Sequence, residues 1–238
     1  MRWLAAALIF LAAPAAAVTC EDVRYESNFF TACTVDATTE TLRLFHKDNS
    51  GEVLGSFGAI EALSDVGTLV FAMNAGMYHD DRSPVGHYLE DGIETMRVIT
   101  NKGPGNFGLL PNGVFCIDDN SAQIYETLRY VDEAPACRDA TQSGPMLVID
   151  GALHPRFLPD STSRFIRNGV GTTADATTAI FVISNNSVTF HEFGRFFRDY
   201  LAVPNALYFD GKVSRLYARS LGRSDFGFQL GPMVDVIE

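Results

Sequence analysis

Positive charge is scarce in this sequence. Against 29 Asp and Glu stand 18 Lys and Arg, a formal net charge of −11. A nucleic-acid partner demands a basic stripe along its phosphates, so that class is excluded. An anionic small molecule is not, because a few local arginines outweigh a distant surface field once salt screens it. Long apolar runs are equally rare. After Thr19 no uninterrupted segment reaches the roughly 20 residues of a membrane helix. No two of the four cysteines have zinc-knuckle spacing, and there is no H-E-x-x-H run and no G-x-S-x-G elbow around Ser143. The adjacent Asp80-Asp81 is ordinary for a solvated turn, so neither a metal nor a cofactor is expected. Gly103–Gly108 spells G-x-G-x-x-G, but Leu109-Leu110-Pro111-Asn112-Gly113 follows it as turn and strand rather than helix. A dinucleotide cradle needs the helix. Repeats, low-complexity tracts and linkers are also absent, which leaves one domain as the economical reading.

What is present starts with a leader. Arg2, the apolar Leu4–Ala13 run and Ala15-Ala16-Ala17 form the three parts of a secretory signal peptide over residues 1–17. A membrane anchor is the alternative, and Pro14 with its following alanines favours cleavage after Ala17. The expected mature chain, 18–238, is then periplasmic or secreted, with no stable membrane insertion. Four cysteines suit an oxidising compartment. They allow three connectivities, and proximity selects Cys20–Cys33 and Cys116–Cys137.

Asp/Asn/Gly turns recur between apolar or alternating runs, the pattern of hairpins. Asp91-Gly92 joins Gly86–Glu90 to Ile93–Ile99, and Asp118-Asp119-Asn120 joins Val114–Ile117 to Ala122–Glu126. Asp150-Gly151 follows Met146–Ile149. Asn185-Asn186 separates Ala179–Ser184 from Val188–Phe193, and Gly211-Lys212 separates Ala206–Phe209 from Val213–Tyr217. Two helices are expected, Ala59–Val66 and Phe193–Leu201, the second with an aromatic stripe suited to core packing. The fold class is α+β, a single domain with a mixed, largely antiparallel sheet and a few helices.

Four segments run from an apolar strand into polar, glycine-bearing loops: Phe71–Tyr78, Thr141–Leu147, Arg164–Gly171 and Pro204–Gly211. Each is readable as a capped turn or as a scaffold presenting binding groups. Their ordered cores are Asn-Ala-Gly-Met-Tyr, Ser-Gly-Pro-Met-Leu with a downstream Asp-Gly, Arg-Asn-Gly-Val-Gly, and Asn-Ala-Leu-Tyr-Phe-Asp-Gly. Together they resemble the phosphodiester glycosidase family, the family of the enzyme that uncovers mannose 6-phosphate. The resemblance covers most of the chain after residue 40. It implies loops converging on one pocket and cleavage of a sugar from a phosphodiester, with a small-molecule or polymeric glycan-phosphate as substrate.

Carried over by motif, the implied pocket residues are Asn74, Gly76, Ser143, Gly144, Arg167 and Asp210; Asn168, where the third motif departs from the usual Arg-Thr-Ala of the family, is a further substrate-binding candidate. Arg167 is the expected phosphate clamp, since its fork holds two oxygens at once, and Asp210 the expected carboxylate. Asn74 and Ser143 would orient hydroxyls or phosphate. Glu192 is a candidate second carboxylate, its alternative being a helix N-terminal charge. The sequence departs from better-known members after the last motif. Where they carry a glycine- and serine-rich loop, it reads Asp210-Gly211-Lys212-Val213-Ser214-Arg215. A non-catalytic glycan or phospho-glycan binding protein of the envelope is the alternative function.

Overall fold

The computed structural model describes residues 18–63 and 67–238. The expected leader, and the end of the helix expected to reach Val66, lie outside them. Three antiparallel sheets form one α+β domain. The first has seven strands, in the order β1 (Thr19–Tyr25), β2 (Asn28–Asp36), β13 (Thr178–Ser184), β12 (Asn168–Thr172), β14 (Asn205–Asp210), β10 (Met146–Ile149) and β11 (Ala152–Leu153). The second runs β16 (Arg223–Ser224), β15 (Leu216–Ala218), β4 (Leu69–Asn74), β17 (Met233–Ile237), β3 (Thr41–Phe45). The third runs β6 (Ile93–Met96), β5 (Tyr88–Glu90), β9 (Asp139–Ser143), β7 (Gly113–Asp118), β8 (Ser121–Glu126).

Turn chemistry explains the tight reversals. Asp91 and Gly92 both take positive φ between the paired Glu90 and Ile93, as do Asp150 and Gly151 between Ile149 and Ala152. Two consecutive positive φ values match the right-handed twist of the flanking strands. Cys20 and Cys33 face each other across β1 and β2 and are joined, as are Cys116 and Cys137.

Two expected hairpins do not form. After Asn185-Asn186, Val188 makes only an isolated bridge to Phe165, and the chain enters helix α3 (Phe190–Arg195). Thr189 and Glu192 bond each other's backbone N–H in a capping box, which fixes a helix start where apolar alternation suggested a strand. The other failure is at Gly211-Lys212, where β14 and β15 lie in different sheets. There the Arg215 N–H is drawn to Asn74 Oδ1 at 2.9 Å, at the end of β4. The expected helix Phe193–Leu201 divides into α3 and a π turn over Phe196–Tyr200, closed by the Leu201 N–H to Phe196 O bond of 3.0 Å. The two remaining helices are short, α1 (Phe57–Glu61) and α2 (Thr127–Glu133). Nothing in the sequence pattern announced α2, because its apolar Leu128 and Val131 point to solvent.

The main core lies between the three sheets. Phe71 of β4 and Phe115 of β7 both pack on Phe181 of β13, at 4.8 and 5.8 Å between ring centroids. The seven-stranded sheet is buried on its other face as well, where Val148, Val182, Ala206 and Tyr208 meet Phe193, Phe196 and Phe197. Strand ends from all three sheets therefore converge on one side of a doubly covered sheet.

Candidate active site

Four strand ends meet through polar side chains. Asn74 closes β4 and Asn168 opens β12, and both are fully buried. The Asn168 amide donates to Asn74 O at 2.9 Å and to Asn74 Oδ1 at 3.0 Å. Its own Oδ1 accepts the Asp210 N–H at 3.0 Å. Ser143, at the end of β9, donates to Phe209 O at 3.0 Å, and Thr141 donates to Ala75 O at 2.6 Å. Buried polar groups paired this completely tie the sheets together without leaving an orphan. Gly76 takes φ +142, and a Cβ there would lie 3.0 Å from Thr141 Oγ1, so the turn after β4 has no room for a side chain. A Cβ on Gly144 would meet Asn112 Cβ at 2.5 Å, so the cis-proline turn at Gly144-Pro145 packs directly on the segment after Phe107.

These scaffolding residues hold loops around a cavity of about 650 Å³. The loop after β4 contributes Tyr78, His79 and Arg82; the 103–108 loop contributes Asn106 and Phe107. Asp210 and Lys212 come from the end of β14, and Phe228 and Gln229 from the segment before β17. Asp210 Oδ1 accepts the N–H groups of Gly211 and Lys212 at 2.6 and 2.9 Å, which fixes the carboxyl in one orientation. Burial nevertheless pushes its pKa above the ordinary 3.8, the backbone N–H groups offsetting only part of the effect. Burial and the nearby Asp210 charge likewise raise the Tyr78 phenol. Arg82 takes a positive φ of 72° and stacks over the Tyr78 ring at 5.4 Å. Its Nη1 donates to Asp80 O, while its buried Nε has no acceptor in the protein. The wall thus pairs a partly desolvated carboxyl with two cations, Arg82 and Lys212.

Of the residues expected from the sequence, Asn74, Gly76, Ser143, Gly144, Asn168 and Asp210 come together. Only Asp210 lines the cavity; the others are buried and shape it from behind. Arg167 is 1% exposed and does not line the cavity. Its guanidinium lies 3.7 Å over the Phe190 ring and donates to the carbonyls of Val188 and Ser163, while Nη1 has no acceptor. Burial lowers its pKa, and Tyr208 beside it compensates in part. The same Tyr208 also neighbours Asn106 and Asp210, so it stands between Arg167 and the cavity. Glu192 is occupied by the Thr189 N–H at 2.8 Å and by Arg164 at 2.9 Å, and does not line the cavity. These contacts hold its pKa below the ordinary range despite the opposing effect of burial.

Sequence reasoning did not single out Arg82, Asn106 or Lys212. Arg82 lies in a polar turn with no periodicity, and Asn106 belongs to the glycine-rich run set aside as a failed dinucleotide motif. Lys212 is the one with a signal, since it replaces small residues in the loop where the chain departs from its resemblance. No group of His, Cys, Asp and Glu among the described residues is arranged to hold a metal.

Residues 67–226 match the family model described as phosphodiester glycosidase. The uncharacterized protein YigE of Escherichia coli is 33% identical over 79% of this chain and 74% of its own length. Among solved structures, the zebrafish N-acetylglucosamine-1-phosphodiester alpha-N-acetylglucosaminidase catalytic domain superposes with a TM-score of 0.58 at 12% identity, covering 93% of this chain and 82% of that one. A hypothetical protein from Synechocystis gives 0.61 at 12% identity, over 92% and 61% of the two chains. A Burkholderia pseudomallei protein described as exported gives 0.50 at 10% identity, over 89% and 74%. At such identities the three structures establish the shared fold. With the family model spanning most of the sequence and the Escherichia coli relative above 30% identity, this chain belongs to the phosphodiester glycosidase family.

Proposed function

We propose that this protein is an exported hydrolase that cleaves a sugar from a phosphodiester in the periplasm or outside the cell. The observation that carries the reading is Asp210, a carboxyl of raised pKa held rigidly in a cavity with Arg82 and Lys212. Ordinary glycosidases pair two carboxylates, one protonating the leaving oxygen. A phosphate monoester leaves more readily than an alkoxide, so two cations that neutralise its developing charge take over much of the acid's work. Ionised Asp210 then takes the proton of the attacking water or faces the anomeric carbon. Tyr78 and Asn106 orient sugar hydroxyls. The clamp expected at Arg167 passes in this reading to Arg82 and Lys212, with Arg167 acting from behind through Tyr208. Export is supported by two disulfides and by the likeness to a protein described as exported.

The test is release of free sugar from N-acetylglucosamine phosphodiesters and a wider sugar panel. Asp210→Asn should abolish release, a loss of about 1,000-fold or more, while leaving the folded circular dichroism spectrum intact. The acid limb of kcat/KM in the wild type should lie above the ordinary carboxylate value of 3.8. Binding without release across the whole panel would make the protein a phospho-glycan binding protein instead, a reading the Lys212-bearing loop also accommodates.

A further inference from the structure

Arg82 is held in a backbone conformation that a side chain disfavours, φ 72°. An arginine stays in that region only where its surroundings over-determine it. Most of the holding is local. The Arg82 N–H donates to His79 O at 2.8 Å and the His79 N–H to Ser83 O at 2.9 Å. Asp81 Oδ1 accepts from both the Ser83 N–H and the Ser83 hydroxyl, at 3.0 and 2.6 Å. One contact comes from a distant part of the chain. His46, the residue after the end of β3, brings Nε2 to 2.8 Å from Arg82 O. A carbonyl only accepts, so Nε2 carries the proton and donates it. The ring is 6% exposed and packs edge-on against Tyr88, 5.7 Å between centroids. Its own backbone is fixed by the Leu54 N–H, which donates to His46 O at 3.1 Å. Burial pushes the ring's pKa below the ordinary 6.5, the bond to Arg82 O opposing it in part, so the ring at neutral pH is uncharged.

We propose that His46 is a positioning residue: by binding the Arg82 carbonyl it keeps the Arg82 guanidinium over Tyr78 in the cavity wall, ready for an anion. This inference rests on the hydrolase reading, in which Arg82 binds the departing phosphate. His46 does not line the cavity, and it precedes residues 67–226, which match the family model. It acts through the backbone. Once its carbonyl is released, Arg82 relaxes to negative φ, and that change re-aims the whole side chain. The buried Arg82 Nε, which has no acceptor in the protein, fits the same purpose. The fold holds the guanidinium short of partners, and an anion in the cavity supplies them.

Calorimetry with inorganic phosphate at pH 8 reads the clamp without turnover. His46→Phe keeps a ring and removes the donor. It should weaken phosphate binding about tenfold and lower kcat/KM for sugar release by a similar factor. His46→Gln, whose amide donates at about the reach of Nε2, should restore both to within about twofold of wild type. The double variant separates positioning from plain support of the fold. Arg82→Gln removes the charge, and in that background His46→Phe should cause no further loss of phosphate affinity. Losses that add in the double variant, unchanged phosphate affinity in His46→Phe, no rescue by His46→Gln, or no phosphate binding by the wild type would each overturn the proposal. Should His46→Phe fail to fold, nitrogen NMR reads the wild-type ring directly. Its proton must sit on Nε2, and exchange of that proton must slow when phosphate binds, because the clamp and the bond stabilise each other. A proton on Nδ1, or exchange indifferent to phosphate, would overturn the proposal. Unchanged phosphate affinity in a His46→Phe variant that still releases sugar would leave the hydrolase reading standing. A coupled loss of affinity in a protein that releases no sugar would remove the hydrolase and keep His46 and Arg82 as a phosphate site.

Discussion

Asp235 of β17 is fully buried, and neither carboxylate oxygen has a hydrogen-bond partner. Burial drives its pKa well above the ordinary 3.8, with Asp139 and Glu90 adding to the effect and Arg43 opposing it. Glu90 is pushed to about 7 by burial, which outweighs the 2.8 Å bond from the Tyr88 hydroxyl. Asp139 is raised by burial too, though Arg138 and the Asp91 N–H hold it at 2.9 Å each. In the folded state these carboxyls retain protons that the unfolded chain releases. Their contribution to stability is therefore fully present below the ordinary carboxylate range and is lost as pH rises through the Glu90 value of about 7. Asp235→Asn mimics the protonated form, so it should leave stability at pH 5 nearly unchanged and raise it at pH 8 by about 2 kcal/mol. Urea denaturation at the two pH values measures this; lower stability than wild type at both would show that the ionised carboxylate is needed.

Helix α3 shows what an element owes to its first turn. Thr189 Oγ1 accepts the Glu192 N–H at 3.1 Å, and the Glu192 carboxylate returns the bond to the Thr189 N–H. Thr189→Ala should therefore cost about 1 kcal/mol, read as a shift of the denaturation midpoint at constant slope. Glu192→Gln can keep the capping box, since glutamine also serves at that position. It gives up a half-exposed ion pair with Arg164 worth little. Sugar release by Glu192→Gln should stay within about twofold of wild type, whereas a fall approaching that of Asp210→Asn would restore Glu192 as a catalytic carboxylate. The hairpins β5–β6, β7–β8 and β10–β11 were legible in their turn residues, because a two- or three-residue reversal depends on local φ and ψ alone. The breaks at Asn185-Asn186 and Gly211-Lys212 were not. Whether a chain pairs back on itself or crosses to another sheet depends on distant partners, such as Asn74 for Arg215.

Across the whole molecule, Asn168 is where the sheets and the site are joined. Asn168→Ala removes the bonds to Asn74 O and from the Asp210 N–H, and leaves both groups buried without their partner. Stability should fall by about 2–4 kcal/mol. Sugar release should fall at least about 100-fold even where the variant is fully folded, because the Asp210 loop loses its anchor. Thermal unfolding followed by assay below the transition separates the two effects. Intact activity in a destabilised protein would show that Asp210 is positioned independently. The four ordered motifs, the turn chemistry and the cysteine spacing sufficed for the antiparallel α+β class, for the cysteine pairs and for the family, since each is carried by short stretches of sequence. The tertiary structure decided which motif residues line the cavity. Strand ends from three sheets had to meet before Asn74, Ser143 and Asn168 became buried joints, Arg167 was buried behind Tyr208 and Arg82, Asn106 and Lys212 lined the cavity. Side-chain facing at a strand end is set by register and bulges between strands, such as the shift between β12 and β14 at Asn168, and pairing across sheets is not written in any local window of the chain.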